Sequence, residues 1–242
     1  MRMIHVNVDD AGLSPGVTSA IERCAAAGRM HGASILATGS HVEEAARAVA
    51  GSGVSVAAHL DCLQGPFLTG ADLPGSALAW AAGAGDVELL RREWGAQIER
   101  LLGLGLEVSR LDSHRHAHHL PRLRGPFLSL AMEYRIERVR CAILPDWWMR
   151  PGGILLNSLG KRLARAARSL GMTTPDSLLG FGRSGRVDRA YLQGMTPRLR
   201  HGTVELAMHP SASADWSPGQ PGELDLMMSS WFGEWLEETF VH

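Results

Sequence analysis

Four of the chain's eleven histidines fall in the six positions that follow Leu111-Asp112-Ser113, where His114, His116, His118 and His119 crowd behind an aspartate. On an extended strand alternate side chains share a face, so Asp112, His114, His116 and His118 are expected to point one way. No apolar core tolerates such a face. Two further segments carry groups of the same chemistry, Val6-Asn7-Val8-Asp9-Asp10 and Ala57-Ala58-His59-Leu60-Asp61. One carboxylate with two imidazoles makes three protein ligands and leaves positions open for water and substrate, the pattern of a catalytic rather than a structural metal site. A divalent cation so held polarises a carbonyl and lowers the pKa of bound water toward about 7.

Read singly, these residues keep plainer alternatives. Of Asp9 and Asp10, one can bind metal while the other takes a proton, or one can cap the turn that follows. His59 ends an apolar strand and can be a packed, hydrogen-bonded histidine; His114 sits in a cluster, which favours a ligand. His209 closes the strand Val204-Glu205-Leu206-Ala207-Met208 and can protonate a leaving amine or stabilise an oxyanion, or simply be ordered by Pro210. Arg140 can hold an anionic or hydroxyl-rich substrate or make an ordinary salt bridge. Trp147 and Trp148 can wall a sugar site by stacking, or be buried, or meet a second copy.

The elements that must position these groups alternate. Met3 to Val8 reads as a strand, broken by Gly12-Leu13-Ser14-Pro15-Gly16 before a helix near 17–27. Strand and helix recur at 33–38 with 42–50, and at 54–59 with a long helix carrying Leu89, Leu90, Trp94, Ile98, Leu101 and Leu102 at helical spacing. Then follow a strand at 109–112, a helix near 122–133, a strand at 138–143, a helix near 155–170, a short strand near Met172, a helix near 189–192 and a strand at 203–208. Such alternation predicts a mainly parallel α/β sheet, open or closed into a (β/α) barrel. Each polar cluster ends a predicted strand, the edge where barrel enzymes build their sites.

Bulk properties agree with one soluble unit spanning residues 1–242. The length suits an α/β barrel of about 250 residues. Hydrophobic residues make up 45% of the chain and charged residues 20%, with a net charge of −1, values that argue against disorder and make no case for nucleic acid. The basic run from Lys161 to Arg168 reads as a solvated helix face. Cys24, Cys62 and Cys141 are far apart and are expected to be reduced and buried. No apolar run approaches the roughly 20 residues of a membrane span, and no secretory leader pattern opens the chain, so a cytoplasmic location is expected.

Four motifs in order, Val6-Asn7-Val8-Asp9-Asp10-Ala11-Gly12-Leu13-Ser14-Pro15-Gly16-Val17, Ala58-His59-Leu60-Asp61, Leu111 to His118 and Glu205-Leu206-Ala207-Met208-His209-Pro210, resemble the YdjC-like carbohydrate deacetylases. That family includes the chitooligosaccharide deacetylases, and the motifs are also similar to members associated with hopanoid biosynthesis. The resemblance implies a barrel-like fold, distorted or incompletely closed because the chain ends at His242 before the family's last strand. It implies a metal-dependent hydrolase that removes acetyl from an N-acetylated saccharide or glycolipid. By position, Asp10, His59 and His114 would hold one divalent metal ion, zinc or magnesium foremost. Asp9 would be the general base and His209 the general acid. His116, His118, Arg140 and Asp176 would lie in or near the substrate pocket, Asp176 through the loop Thr174 to Phe181. Two departures stand out: Ala11 replaces a usual aromatic, which would widen the pocket, and Asp61 replaces a usual asparagine, which would add charge near the metal. The residues leave room for two other readings, a metal-dependent phosphoesterase or sugar isomerase, and a noncatalytic metal- or sugar-binding protein. Association into a homo-oligomer is left open.

Overall fold

Alternation along each strand sorts side chains onto two faces of one sheet, and here one face is apolar while the other is largely polar. The computed structural model describes residues 2–145 and 152–240. In chain order the elements are β1 (Arg2–Ala11), α1 (Pro15–Ala26), β2 (Gly32–Ile35), α2 (Val42–Val49), β3 (Ser55–Leu60), α3 (Ala77–Ala81), α4 (Val87–Gly103), β4 (Val108–Ser113), α5 (Pro121–Glu133), β5 (Arg138–Val139), α6 (Gly153–Ser169), β6 (Ser177–Leu179), α7 (Arg189–Met195), β7 (Gly202–Met208), α8 (Gln220–Met228) and α9 (Ser230–Thr239). The seven strands are all parallel, in the order β5-β4-β3-β2-β1-β7-β6.

Val6, Val8, Ala33, Ile35, Ala58, Leu60, Leu111, Leu206 and Met208 face the helices and join Ile21, Trp94, Ile98, Leu101 and Phe127 in the main apolar core. The positions between them, His5, Asn7, Asp9, Ser34, His59, Arg110, Asp112 and Glu205, are polar and hydrogen-bond one another across the concave face. Both faces are buried, the one by apolar packing against the helices and the other by hydrogen bonds and ion pairs within the barrel. The helices begin where the chain supplies caps: Ser14 accepts from Val17 N with Pro15 in the first turn of α1, and Asp86 and Asp188 cap α4 and α7.

The sheet curls until its edges nearly meet. Between β5 and β6 the backbone makes isolated bonds, Val139 N to Thr173 O, Thr173 N to Glu137 O and Leu178 N to Ile143 O, in place of a ladder. The fold is therefore an incompletely closed α/β barrel, as expected. Local differences have local causes. The strand expected at 138–143 pairs only over Arg138–Val139. The one expected near Met172 reduces to a bridge of Thr173 to Arg138, and the ladder forms instead at Ser177–Leu179 beyond Pro175. The helices α3, α8 and α9 are not among the expected elements; α3 is five residues long, and α8 opens with Gln220-Pro221-Gly222 and lacks an apolar stripe. Trp147 and Trp148 lie outside the described residues. All three cysteines are free and buried, and among the described residues no helix is long and apolar enough to cross a membrane.

Helix glycines test this packing. A methyl at Gly160 in α6 would overlap the Ala142 carbonyl oxygen, whereas one at Gly103, at the end of α4, meets nothing. Gly160→Ala is expected to lower stability by about 1–2 kcal/mol despite the gain in helix propensity, and Gly103→Ala to raise it by about 0.5 kcal/mol; urea unfolding of the two variants measures both.

Candidate active site

The first strand delivers two consecutive carboxylates to one place by a backbone device. Asp9 lies in extended β1, but Asp10 turns left-handed at φ 61°, so both side chains reach the same cavity. That cavity, of about 720 Å³, opens at the C-terminal ends of β1, β3, β4 and β7; Asp9, Asp10, His59, His114, His116 and His209 are among the residues lining it.

Asp10 Oδ1 lies 3.4 Å from His59 Nε2 and 3.0 Å from His114 Nδ1, and these three residues form a group that could hold a metal ion. Ligand atoms about 2.0–2.1 Å from a tetrahedral zinc ion sit about 3.3 Å apart, so the spacing fits. The far side of each imidazole is tied. His59 Nδ1 meets Asp112 Oδ1 at 2.6 Å, the two residues being paired in register on β3 and β4, and His114 Nε2 meets Gln64 Oε1 at 3.0 Å. A carboxylate behind one imidazole and an amide oxygen behind the other fix which nitrogen faces the centre, the usual second layer of a metal site.

Beneath this group lies Arg140, 1% exposed. Its guanidinium grips Asp9 with both terminal nitrogens, at 2.7 and 2.8 Å, and also reaches Asp112 Oδ2 at 3.0 Å and Glu205 Oε1 at 2.7 Å. Glu205 also takes Arg110 at 2.8 Å. Among the described residues, the permanently cationic groups that face Asp9, Asp10, Asp112 and Glu205 in this buried cluster are Arg110 and Arg140, so an excess of two negative charges remains once His59 has given up its proton. A divalent cation is the ion that would balance it. Burial alone would push the Asp9 carboxyl up, but Arg140 overrides it and holds Asp9 well below the usual carboxylate range. Asp10 is likewise held down against burial by His114 and His59. Burial would lower His59, yet Asp112 and Asp10 raise it to about 10.

On the other side of Asp9, His209 Nε2 stands 3.7 Å from Oδ2. Its backbone N–H donates to Glu223 at 2.5 Å, and its ring meets Trp216 edge to face at 5.6 Å. Arg140 and Asn7 occupy Asp9 Oδ1, whereas among the described residues Oδ2 accepts from Arg140 alone and keeps a lone pair on the side where His209 stands.

Asp9, Asp10, His59, His114, His116 and His209 are thus brought together; three other expected pocket residues are not. Arg140 is spent on three carboxylates below the cavity and cannot reach a substrate. His118 is fully buried, bonded to Ser113 Oγ at 2.5 Å and Arg140 O at 3.0 Å and stacked on Phe127. Asp176 precedes β6 at the opposite edge of the barrel, where it binds Arg168 and the Thr203 backbone. The expected shared strand face of Asp112, His114, His116 and His118 does not form either, because β4 ends at Ser113 and the chain turns left-handed at Arg115 and His116. Neither departure lines this cavity, although Asp61 borders an adjoining pocket with Gln64 and His114. Ala11 is wholly buried in the core, and the Asp61 carboxylate accepts from Leu63 N and Gln64 N. Gln64 and Trp216 escape the sequence reading, since loops carry no periodicity; Phe181 enters it only as the end of the loop Thr174 to Phe181, Asp112 as a member of the histidine cluster's expected face, and Glu205 as a polar position on a strand.

A family model described as YdjC-like protein matches residues 3–238. The chain is 32% identical over 146 residues to a carbohydrate deacetylase of Vibrio campbellii, covering 56% of this chain and 57% of that one. It is 24% identical over 229 residues to a carbohydrate deacetylase of Thermoanaerobacter pseudethanolicus, covering 87% and 82%. The Vibrio match spans little more than half the length of that relative. Among solved structures, an Enterococcus faecalis protein named for cellobiose-phosphate cleavage superposes with a TM-score of 0.76 at 20% identity, over 98% of this chain and 95% of that one. A lactam utilization protein of Thermus thermophilus follows at 0.52 and 15%, over 98% and 96%. At such identities the likeness is one of fold.

Removing Arg140 strands buried charges. Arg140→Met is expected to cost about 3–5 kcal/mol in urea unfolding at pH 7. The native Asp9 pairing contributes stability above the ordinary carboxyl value of 3.8 and loses it as pH falls through the depressed folded value. The native pairing is still intact at pH 4, so the deficit of the variant should shrink as pH falls toward that value because its own unpaired, buried carboxylates take up protons.

Proposed function

The chain belongs to the YdjC-like family, and from that premise we propose that it is a metal-dependent hydrolase, one domain over residues 1–242, removing acetyl groups from N-acetylated sugars, oligosaccharides or glycolipids. The observation that carries this reading is the donor set Asp10, His59 and His114 set beside Asp9 and His209 in one cavity. The relatives named carbohydrate deacetylase support the choice of substrate class.

Asp10, His59 and His114 would hold a divalent cation, which would supply Lewis acidity to the acetyl carbonyl and to water. The protein's own groups do the rest. Asp9 is the general base: it is ionised at every working pH because Arg140 holds it so, and its free lone pair on Oδ2 points to the His209 side. The same pairing makes it a weak base, suited to a nucleophile whose own pKa is already lowered. His209, 3.7 Å away, is the general acid that gives the departing amine its proton. His116, whose Nδ1 has no protein partner among the described residues, lines the same cavity and is proposed to face the substrate. A two-metal phosphoesterase would need further ligands, and of the three candidates Asp61 is engaged by backbone N–H groups and His118 by Ser113 and Arg140, which leaves His116 alone for a second ion.

Asp9→Asn should retain metal and lose roughly 10²- to 10⁴-fold in acetate release, assayed over N-acetylated saccharides and glycolipids with defined divalent metals and a metal-stripped control. Metal bound with no acetate from any substrate would favour the noncatalytic reading. Metal uptake must also displace the His59 proton. In the metal-free chain that proton stabilises the fold fully below the ordinary value of 6.5 and ceases to as pH rises through about 10. Metal affinity should therefore rise by up to about tenfold per pH unit between those limits, with about one proton released per ion, read by calorimetry in buffers of different ionisation enthalpy.

A further inference from the structure

Resting on the deacetylase reading, we propose that Trp216 is the platform against which the acetamido-bearing sugar ring lies. The indole borders the cavity and is 45% exposed, whereas Trp80 and Trp94 are wholly buried. Its loop is nonetheless fixed. The Asp215 carboxylate accepts from Ser14 Oγ and Ser211 Oγ at 2.6 Å and from Ser213 Oγ at 2.8 Å, and Ser14 is itself the cap of α1. Gln220 Oε1 accepts from Trp216 N at 3.0 Å and Ser217 N at 3.2 Å. A large apolar ring on a fixed loop, resting on His209 and otherwise left open to the cavity, is a surface prepared for a ligand.

Its neighbour says which part of the ligand. Trp216 packs on His209 at 5.6 Å and 88°, and His209 faces Asp9. A leaving nitrogen within reach of the His209 imidazole brings its own ring carbon with it, so the ring attached to that nitrogen meets the indole. The C–H face of a pyranose is apolar and flat enough to stack there, while its hydroxyls point to the rim. Phe181, from the loop between β6 and α7, borders the same cavity against His116 at 5.4 Å and is left for the remainder of the substrate.

The test uses Trp216→Ala and Trp216→Phe in the metal-loaded full chain, with folding checked by circular dichroism and N,N′-diacetylchitobiose as the probe. Trp216→Ala should raise KM about tenfold with kcat changed less than about threefold, and Trp216→Phe should keep KM within about threefold because a flat ring remains. Calorimetric affinity for the same saccharide should fall in parallel. Unchanged KM and unchanged affinity in Trp216→Ala would overturn the platform while leaving the deacetylase reading intact. If the parent releases no acetate from this saccharide or from the wider substrate panel, that reading fails separately, and affinity still decides: loss in Trp216→Ala supports the platform, and equal binding, or none to the parent, overturns it.

Discussion

One buried guanidinium sets the terms for this barrel. Arg140 stands where the lumens of most (β/α) barrels hold branched aliphatic side chains, and it bonds Asp9, Asp112 and Glu205 at once. A charge buried this deeply is tolerated only if paired and fully bonded. Each partner is in turn tied elsewhere: Asp112 to His59 and Ser34, Glu205 to Arg110, Asp9 to Asn7. The orientation of His59 and the ionisation of Asp9 therefore follow from the same contact. A site assembled from four strands behaves as one unit because its floor is one network.

The network also separates two carboxylates that are neighbours in the chain. Asp9 points down onto Arg140 and is kept charged by it, whereas Asp10, swung by its left-handed backbone, sits among imidazoles. Two adjacent residues of the same type thus acquire different tasks from environment alone, one suited to moving a proton and the other to binding a cation.

The sequence made the alternation of strand and helix legible, and with it the barrel edge where Asp9, Asp10, His59, His114 and His209 meet, because period-2 and helical patterns report burial directly. It did not reveal how the histidine run divides. His114 joins Asp10, His116 lines the cavity, and His118 and His119 pin the turn to the following segment through Arg140 O and Ala142 N. Burial keeps His118 well below its ordinary range and brings His119 to about 4, so both remain neutral pins. Four imidazoles in six positions read alike in one dimension; only the left-handed turn after Ser113 distributes them. Arg140 is the same lesson in reverse, a residue at a strand end whose partners lie up to 131 positions away and whose role no local pattern records. The loop residues Gln64, Trp216 and Phe181 have no periodicity to betray them.

Backbone strain is concentrated where the chemistry is. Among the described residues, four that are not glycine adopt positive φ: Asp10, Arg115, His116 and Arg135. Three of the four line the cavity. Such a conformation costs roughly 1–2 kcal/mol per residue, and a fold keeps it only where surrounding contacts over-determine the geometry. At Asp10 those contacts are the two imidazoles. At Arg115 and His116 they are the tethers on either side, Ser113 bonded to His118 and His119 bonded to the His116 carbonyl. The turn thus holds His114 and His116 toward the cavity through histidines that do not line it, so the run carries two imidazoles for the site and two for the turn.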